Sequence, residues 1–143
     1  MPAPRINLSV STAGSASPDL VWQRYLRTEL WSSWSPQIRR VDPDGARLTL
    51  GLTGVVHGPA GIGARFVVTG LDPASRSWSW QVRPVLGTRL GVPFTLDLDH
   101  TVDASAGQGT RTTLTISAAL PAAGAVIGYL PWARLALRRL VRP

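Results

Sequence analysis

The sequence predicts an α+β fold in which a curved antiparallel sheet packs around a long, apolar C-terminal helix and encloses a pocket. Three observations carry this reading: an alternating segment near the start, a run of short period-two segments separated by Pro, Gly and Asp turns, and a final stretch with helical spacing. At 143 residues, 44% of them apolar, the chain has the size of one domain spanning 1–143 and enough apolar surface for a substantial core.

From Arg5 to Thr12, Ile6, Leu8 and Val10 alternate with Asn7, Ser9 and Ser11, as a half-buried strand requires. Ser17-Pro18-Asp19 then offers a capping hydroxyl, a proline at the first helical position and an acid at the positive end of the dipole. A helix follows, with Val21, Trp22, Tyr25 and Leu26 as its apolar stripe. A second, short helix is predicted from about Thr28 to the residue before Pro36, with Trp31 and Trp34 on one face.

Period two then takes over, in segments Ile38–Val41, Arg47–Val56, Arg65–Gly70, Trp78–Pro84, Thr95–Asp103 and Thr110–Ala118. The turns between them are short, which requires antiparallel neighbours, since parallel pairing needs crossovers. Over Pro121–Val141, Val126, Tyr129, Leu130, Trp132, Ala133, Ala136, Leu137 and Leu140 share one arc of a helical wheel. Arg134, Arg138, Arg139 and Arg142 share the other arc, and Pro131 is expected to kink the helix. The uncharged stretch Thr112–Ala133 contains two prolines and changes period part-way, so it reads as a strand followed by a helix rather than a membrane span.

Composition excludes several chemistries. The chain has no Cys, hence no disulfide framework, thiolate zinc site or cysteine nucleophile. Its start has no apolar run behind a basic end, so no signal peptide is expected, and the expected address is cytoplasmic. The net charge is +7, but the arginines are dispersed except at Arg134–Arg142, which argues against a nucleic-acid surface. With two His and no His-x-x-x-His spacing, neither a metal nor a cofactor is expected. The glycine-rich Gly58–Gly63 lies between strands and carries no Lys, so it reads as a hairpin rather than a phosphate loop.

The element order, with Trp31 and Trp34 followed by Ser35-Pro36 and with His100 before a Gly-rich turn into Gly109-Thr110-Arg111-Thr112, resembles the SRPBCC or START-like superfamily. Its polyketide cyclase/dehydrase and lipid transport branch is the most similar. The resemblance implies a helix-grip fold, a seven-stranded antiparallel sheet curled around the C-terminal helix. It also implies a cavity for lipids, polyketides or other hydrophobic molecules, with cyclisation or dehydration in some members. Fold alone does not choose among these.

Alternation selects the candidate lining of that cavity. Leu96, Leu98, His100 and Val102 face one way on their strand, and Thr112, Leu114 and Ile116 face inward on the next. Aromatic candidates are Trp22, Trp34, Phe66, Trp78, Trp80 and Phe94, and the helix adds Val126, Tyr129, Leu130, Ala133 and Leu137, with Ala133 leaving room. His100, polar on an apolar face, is the candidate acid or base, with Arg65 or Arg83 as oxyanion partners. The competing reading is a structural His bonded to a Thr or the backbone. His57 reads as surface or loop.

Binding of a hydrophobic small molecule is thus the leading function. A cyclase, aromatase or dehydratase using His100 is the alternative. Attachment to a membrane surface through the basic arc of the last helix is a third reading.

Overall fold

The computed structural model describes residues 4–86, 90–91, 95–107 and 109–143. Strand β1 (Arg5–Gly14) leads into helix α1 (Pro18–Leu26), a 3₁₀ turn (Thr28–Leu30) and the short helix α2 (Trp31–Trp34). Strands β2 (Arg40–Asp42), β3 (Thr53–His57), β4 (Ile62–Asp72), β5 (Ser77–Leu86), β6 (Leu90–Gly91), β7 (Leu96–Ala104) and β8 (Thr110–Ala119) follow. Helix α3 (Ala123–Leu140) comes last, after a 3₁₀ turn at Leu120–Ala122. Each neighbour in the order β1-β8-β7-β5-β4-β3-β2 pairs antiparallel, giving seven strands along the main path, and the two-residue β6 joins β5. A register shift between Val68 and Gly70 helps the long β4–β5 pair bend. The architecture is the seven-stranded helix-grip fold.

Local chemistry sets the element ends. Ser17 caps α1, its hydroxyl accepting from the Leu20 N–H at 3.2 Å, with Pro18 in the first turn. The last turn of α3 is held by Arg24, whose Nη1 donates to the carbonyls of Leu140 (2.6 Å) and Arg142 (2.5 Å), so a cation meets the negative end of the helix dipole. Nearby, the Ala16 N–H donates to the Val141 carbonyl at 3.0 Å. A side chain at Gly14 would collide with that carbonyl, so this approach of β1 to the helix end requires glycine.

The predicted strand Arg47–Val56 is only half a strand. Gly51, at φ +83°, reverses the chain within a turn closed by the Leu52 N–H to the Thr49 carbonyl, and regular pairing starts at Thr53. Parity is lost across that turn. Leu48 is buried, whereas Leu50, expected on the same face, stands 66% exposed at the tip. Helix α3 is continuous through Pro131. Its buried arc holds Val126, Ala133, Ala136, Leu137 and Leu140, but Trp132, at the edge of that arc, is 51% exposed. Among the described residues no helix is long and apolar enough to cross a membrane.

Helix α3 packs chiefly on β1 and β8, at one side of the sheet, and from the helical layer it meets α2 and, at its last turn, Arg24 of α1. The helix therefore leaves part of the concave face of β3, β4, β5 and β7 uncovered by its own side chains. That uncovered region is where the cavity forms.

Candidate functional site

The cavity has a volume of about 430 Å³ and lies between the sheet, α2 with the residues after it, and the middle of α3. Its floor comes from the inward faces of the strands, with Val56 on β3, Ala64 on β4, Trp78, Trp80 and Val82 on β5, Leu96, Leu98 and His100 on β7, and Leu114 on β8. Trp31, Trp34, Ser35, Pro36, Gln37 and Ile38 form one wall, and Tyr129, Trp132, Ala133, Ala136 and Leu137 form the other. Gly58, Pro59, Ile62, Gly63 and Pro84 complete the lining. Ile62 and Trp132 are about half exposed, which places the mouth between the β3–β4 connection and α3. Among the described residues no Arg, Asp or Glu lines the cavity.

Ten of the residues expected at such a site are in the wall: Trp34, Trp78, Trp80, Leu96, Leu98, His100, Leu114, Tyr129, Ala133 and Leu137. Val102, Thr112 and Ile116 are buried but lie outside the wall, and four more expected residues are not in it. Trp22 is buried beneath α1, an element that contributes nothing to the cavity. Phe66 points inward but is covered by Trp31 and Trp80, whose ring centroids lie 6.2 and 5.5 Å away. Val126 is fully buried about two turns before Ala133, and Leu130 falls on the flank of α3 opposite Trp132. Phe94 lies outside the described residues. Arg65 and Arg83 are exposed cross-strand neighbours, and their inward-facing chain neighbours Phe66 and Val82 put them on the outer face, away from any oxyanion.

His100 is 5% exposed, and its partners fix its proton. The Trp80 Nε1–H donates to His100 Nε2 at 3.0 Å, so that nitrogen is unprotonated and the ring hydrogen sits on Nδ1. Nδ1 then donates to the Tyr25 hydroxyl oxygen at 3.1 Å. The Thr112 hydroxyl donates to the Thr101 carbonyl at 3.0 Å, which leaves its oxygen to accept the Tyr25 hydrogen at 3.2 Å. The result is a directed chain from Trp80 through His100, Tyr25 and Thr112 to the backbone, with no ring nitrogen left over. Trp78 stacks on the imidazole at 4.4 Å and 6°.

Burial pushes the His100 pKa down to about 3, and burial likewise raises that of Tyr25 well above the usual phenol range. Protonated at both nitrogens, His100 would set an N–H against the Trp80 N–H. Taking up a proton from a ligand, or delivering one, therefore means breaking the chain. The competing reading of His100, a structural histidine bonded to a Thr or the backbone, is close to what is found; the partners are a Tyr, relayed to Thr112, and a Trp.

The mouth-side polar pair is different. Gln37, in the segment after α2, donates from Nε2 to the Tyr129 hydroxyl at 2.6 Å. No sequence signal announces this contact, because the two residues lie 92 positions apart and only the fold joins them. Burial raises the Tyr129 pKa, so its phenol stays protonated. Among the described residues two buried side-chain polar atoms have no partner, Gln37 Oε1 and Trp78 Nε1, and both belong to cavity-lining side chains.

His57 donates from Nε2 to the Asp42 carboxylate at 2.6 Å, partly exposed on the sheet's outer side. Among the described residues no three His, Asp or Glu side chains gather as a metal site would require.

Residues 5–143 match the model of the family described as polyketide cyclase / dehydrase and lipid transport. The chain belongs to that family. No curated protein matches the sequence. Among solved structures, the ginseng major latex-like protein 151 from Panax ginseng superposes with a TM-score of 0.75. The likeness covers 95% of each chain at 14% identity, so it speaks to the helix-grip fold of this family member and not to its ligand.

Proposed function

We propose that this family member is a single binding domain that holds a hydrophobic, largely aromatic small molecule in the cavity between sheet and α3, without acid–base chemistry at His100. The observation that carries the reading is an apolar cavity of about 430 Å³ whose inward-facing histidine already has both nitrogens engaged by the protein. The volume lies in the range of small-molecule sites. Trp31, Trp34, Trp78 and Trp80 offer flat apolar area, and Ala133 and Ala136 keep the helix side of the cavity open. The family description supports both binding and chemistry; the His100 chain favours binding.

Native mass spectrometry of the purified protein, followed by release under denaturing conditions, tests this. The expected result is a co-purifying apolar small molecule, or capture of an added neutral apolar fluorophore at one per chain. A protein that is empty and captures nothing would contradict it.

A second reading, attachment to anionic membrane surfaces, draws on Ile127 and Trp132, which are 56% and 51% exposed on the helix that carries Arg134 and Arg138. Co-sedimentation with anionic liposomes that weakens with salt would support it. No binding, or binding indifferent to salt, would exclude electrostatic attachment.

A further inference from the structure

The cavity wall contains two kinds of polar group. His100 is satisfied from within the protein, by Trp80 and by Tyr25 and Thr112 behind the wall, and Trp78 Nε1 is a lone unpartnered donor, whereas Gln37 and Tyr129 are joined by a single bond that leaves both donor and acceptor capacity over. With the amide nitrogen donating to Tyr129, the phenol hydrogen and Gln37 Oε1 remain free, and Oε1 has no partner. With the amide turned by 180°, the phenol donates to Oε1, and the amide hydrogens and the phenol oxygen remain. Either way the pair keeps at least one donor and one acceptor.

From this geometry we infer that Gln37 and Tyr129 are the polar anchor of the cavity, receiving one uncharged hydroxyl or carbonyl group of an otherwise apolar ring system. The inference rests on the reading of the cavity as a ligand site and adds the class of ligand. Two further observations support it. Tyr129 remains a neutral donor because burial opposes its ionisation. Among the described residues no cationic side chain lines the cavity, so a carboxylate drawn inside would lose its water without gaining a counter-charge. The anchor also ties α3 to the segment after α2, so a ligand bridging Gln37 and Tyr129 would reinforce the contact between the two walls.

The test is titration of tryptophan fluorescence at neutral pH with naphthalene, 2-naphthol and 2-naphthoate. The expected order has 2-naphthol about tenfold tighter than naphthalene, the size of one net hydrogen bond, and 2-naphthoate no tighter than naphthalene. In Tyr129→Phe, and separately in Gln37→Leu, the preference for 2-naphthol over naphthalene should shrink at least threefold. The second variant keeps the test decisive should the first fail to fold. Equal affinity for naphthol and naphthalene in the wild type, a preference for naphthoate, or an undiminished naphthol preference in both variants would overturn the anchor while leaving a ligand cavity in place. Absence of binding by all three would overturn the cavity reading along with it.

Discussion

The closed and open ends of the cavity place similar side chains in similar apolar surroundings and reach opposite results. At the closed end, His100 meets Trp80, Tyr25 and, through Tyr25, Thr112, and every ring nitrogen and hydroxyl in that chain is engaged. At the open end, Gln37 and Tyr129 share one bond and keep unfilled capacity. What distinguishes a structural polar group from a ligand-facing one here is not residue type or burial but whether the fold has already supplied its partners. A histidine on a cavity wall invites a catalytic reading. Its hydrogen-bond count withdraws it.

If that contrast is right, changes at the closed end should lower stability and changes at the open end should alter binding. The largest effect is expected for His100→Ala, which strips Trp80 Nε1 and Tyr25 of a partner and removes a ring stacked on Trp78; a loss of about 3 kcal/mol should appear in urea unfolding. A loss under about 1 kcal/mol would mean that the chain is not structural.

The pH dependence comes next. His100 has a folded-state pKa of about 3, below its ordinary value of about 6.5, so between those values the unfolded chain binds the extra proton. The stability it contributes is fully present above about pH 6.5 and falls as the pH drops toward 3, by at most about 1.4 kcal/mol per pH unit. His100→Gln should flatten that slope between about pH 6 and pH 4.5 in urea melts. An unchanged slope would place the titration elsewhere.

Tyr25→Phe removes one oxygen and leaves His100 Nδ1–H unpaired, with an expected loss of about 1–2 kcal/mol. Gln37→Leu, the matching change at the open end, should shift stability by less than about 1 kcal/mol, because the lost bond to Tyr129 is offset by removal of a buried carbonyl that has no partner. Similar destabilisation from both variants in parallel melts would erase the distinction between the two ends.

Much of the fold was legible in the sequence because its elements obey local rules. Alternation marked β1, the Ser17-Pro18-Asp19 cap marked α1, and the short turns between period-two segments marked the antiparallel neighbours, as at the β4–β5 hairpin, where Asp72 accepts from the Ala74 N–H at 3.1 Å. The rule failed where a local event cancelled parity, as in the turn at Gly51, whose tip carries Leu50 out into solvent. The lining was half legible. Parity within a strand put Trp78, Trp80, Leu98, His100 and Leu114 on the inner face, whereas the oxyanion role expected of Arg65 and Arg83 went against it, since their neighbours Phe66 and Val82 turn them outward. It could not show that Trp31 and Trp80 would cover Phe66, because that depends on where α2 docks. Nor could it pair Gln37 with Tyr129, or His100 with Tyr25, since those contacts join elements that only the tertiary fold brings together.

The proposed binding site is the space beside Ala133 and Ala136. The most direct measurement is titration with the neutral fluorophore N-phenyl-1-naphthylamine of the wild type, Ala133→Phe and Ala136→Leu, the last two chosen because both alanines line the cavity. Saturable binding of one molecule per chain, weakened at least tenfold by filling the space from either position, is the expected result. Equal affinity in folded filled variants, or no saturable binding by the wild type, would contradict the account.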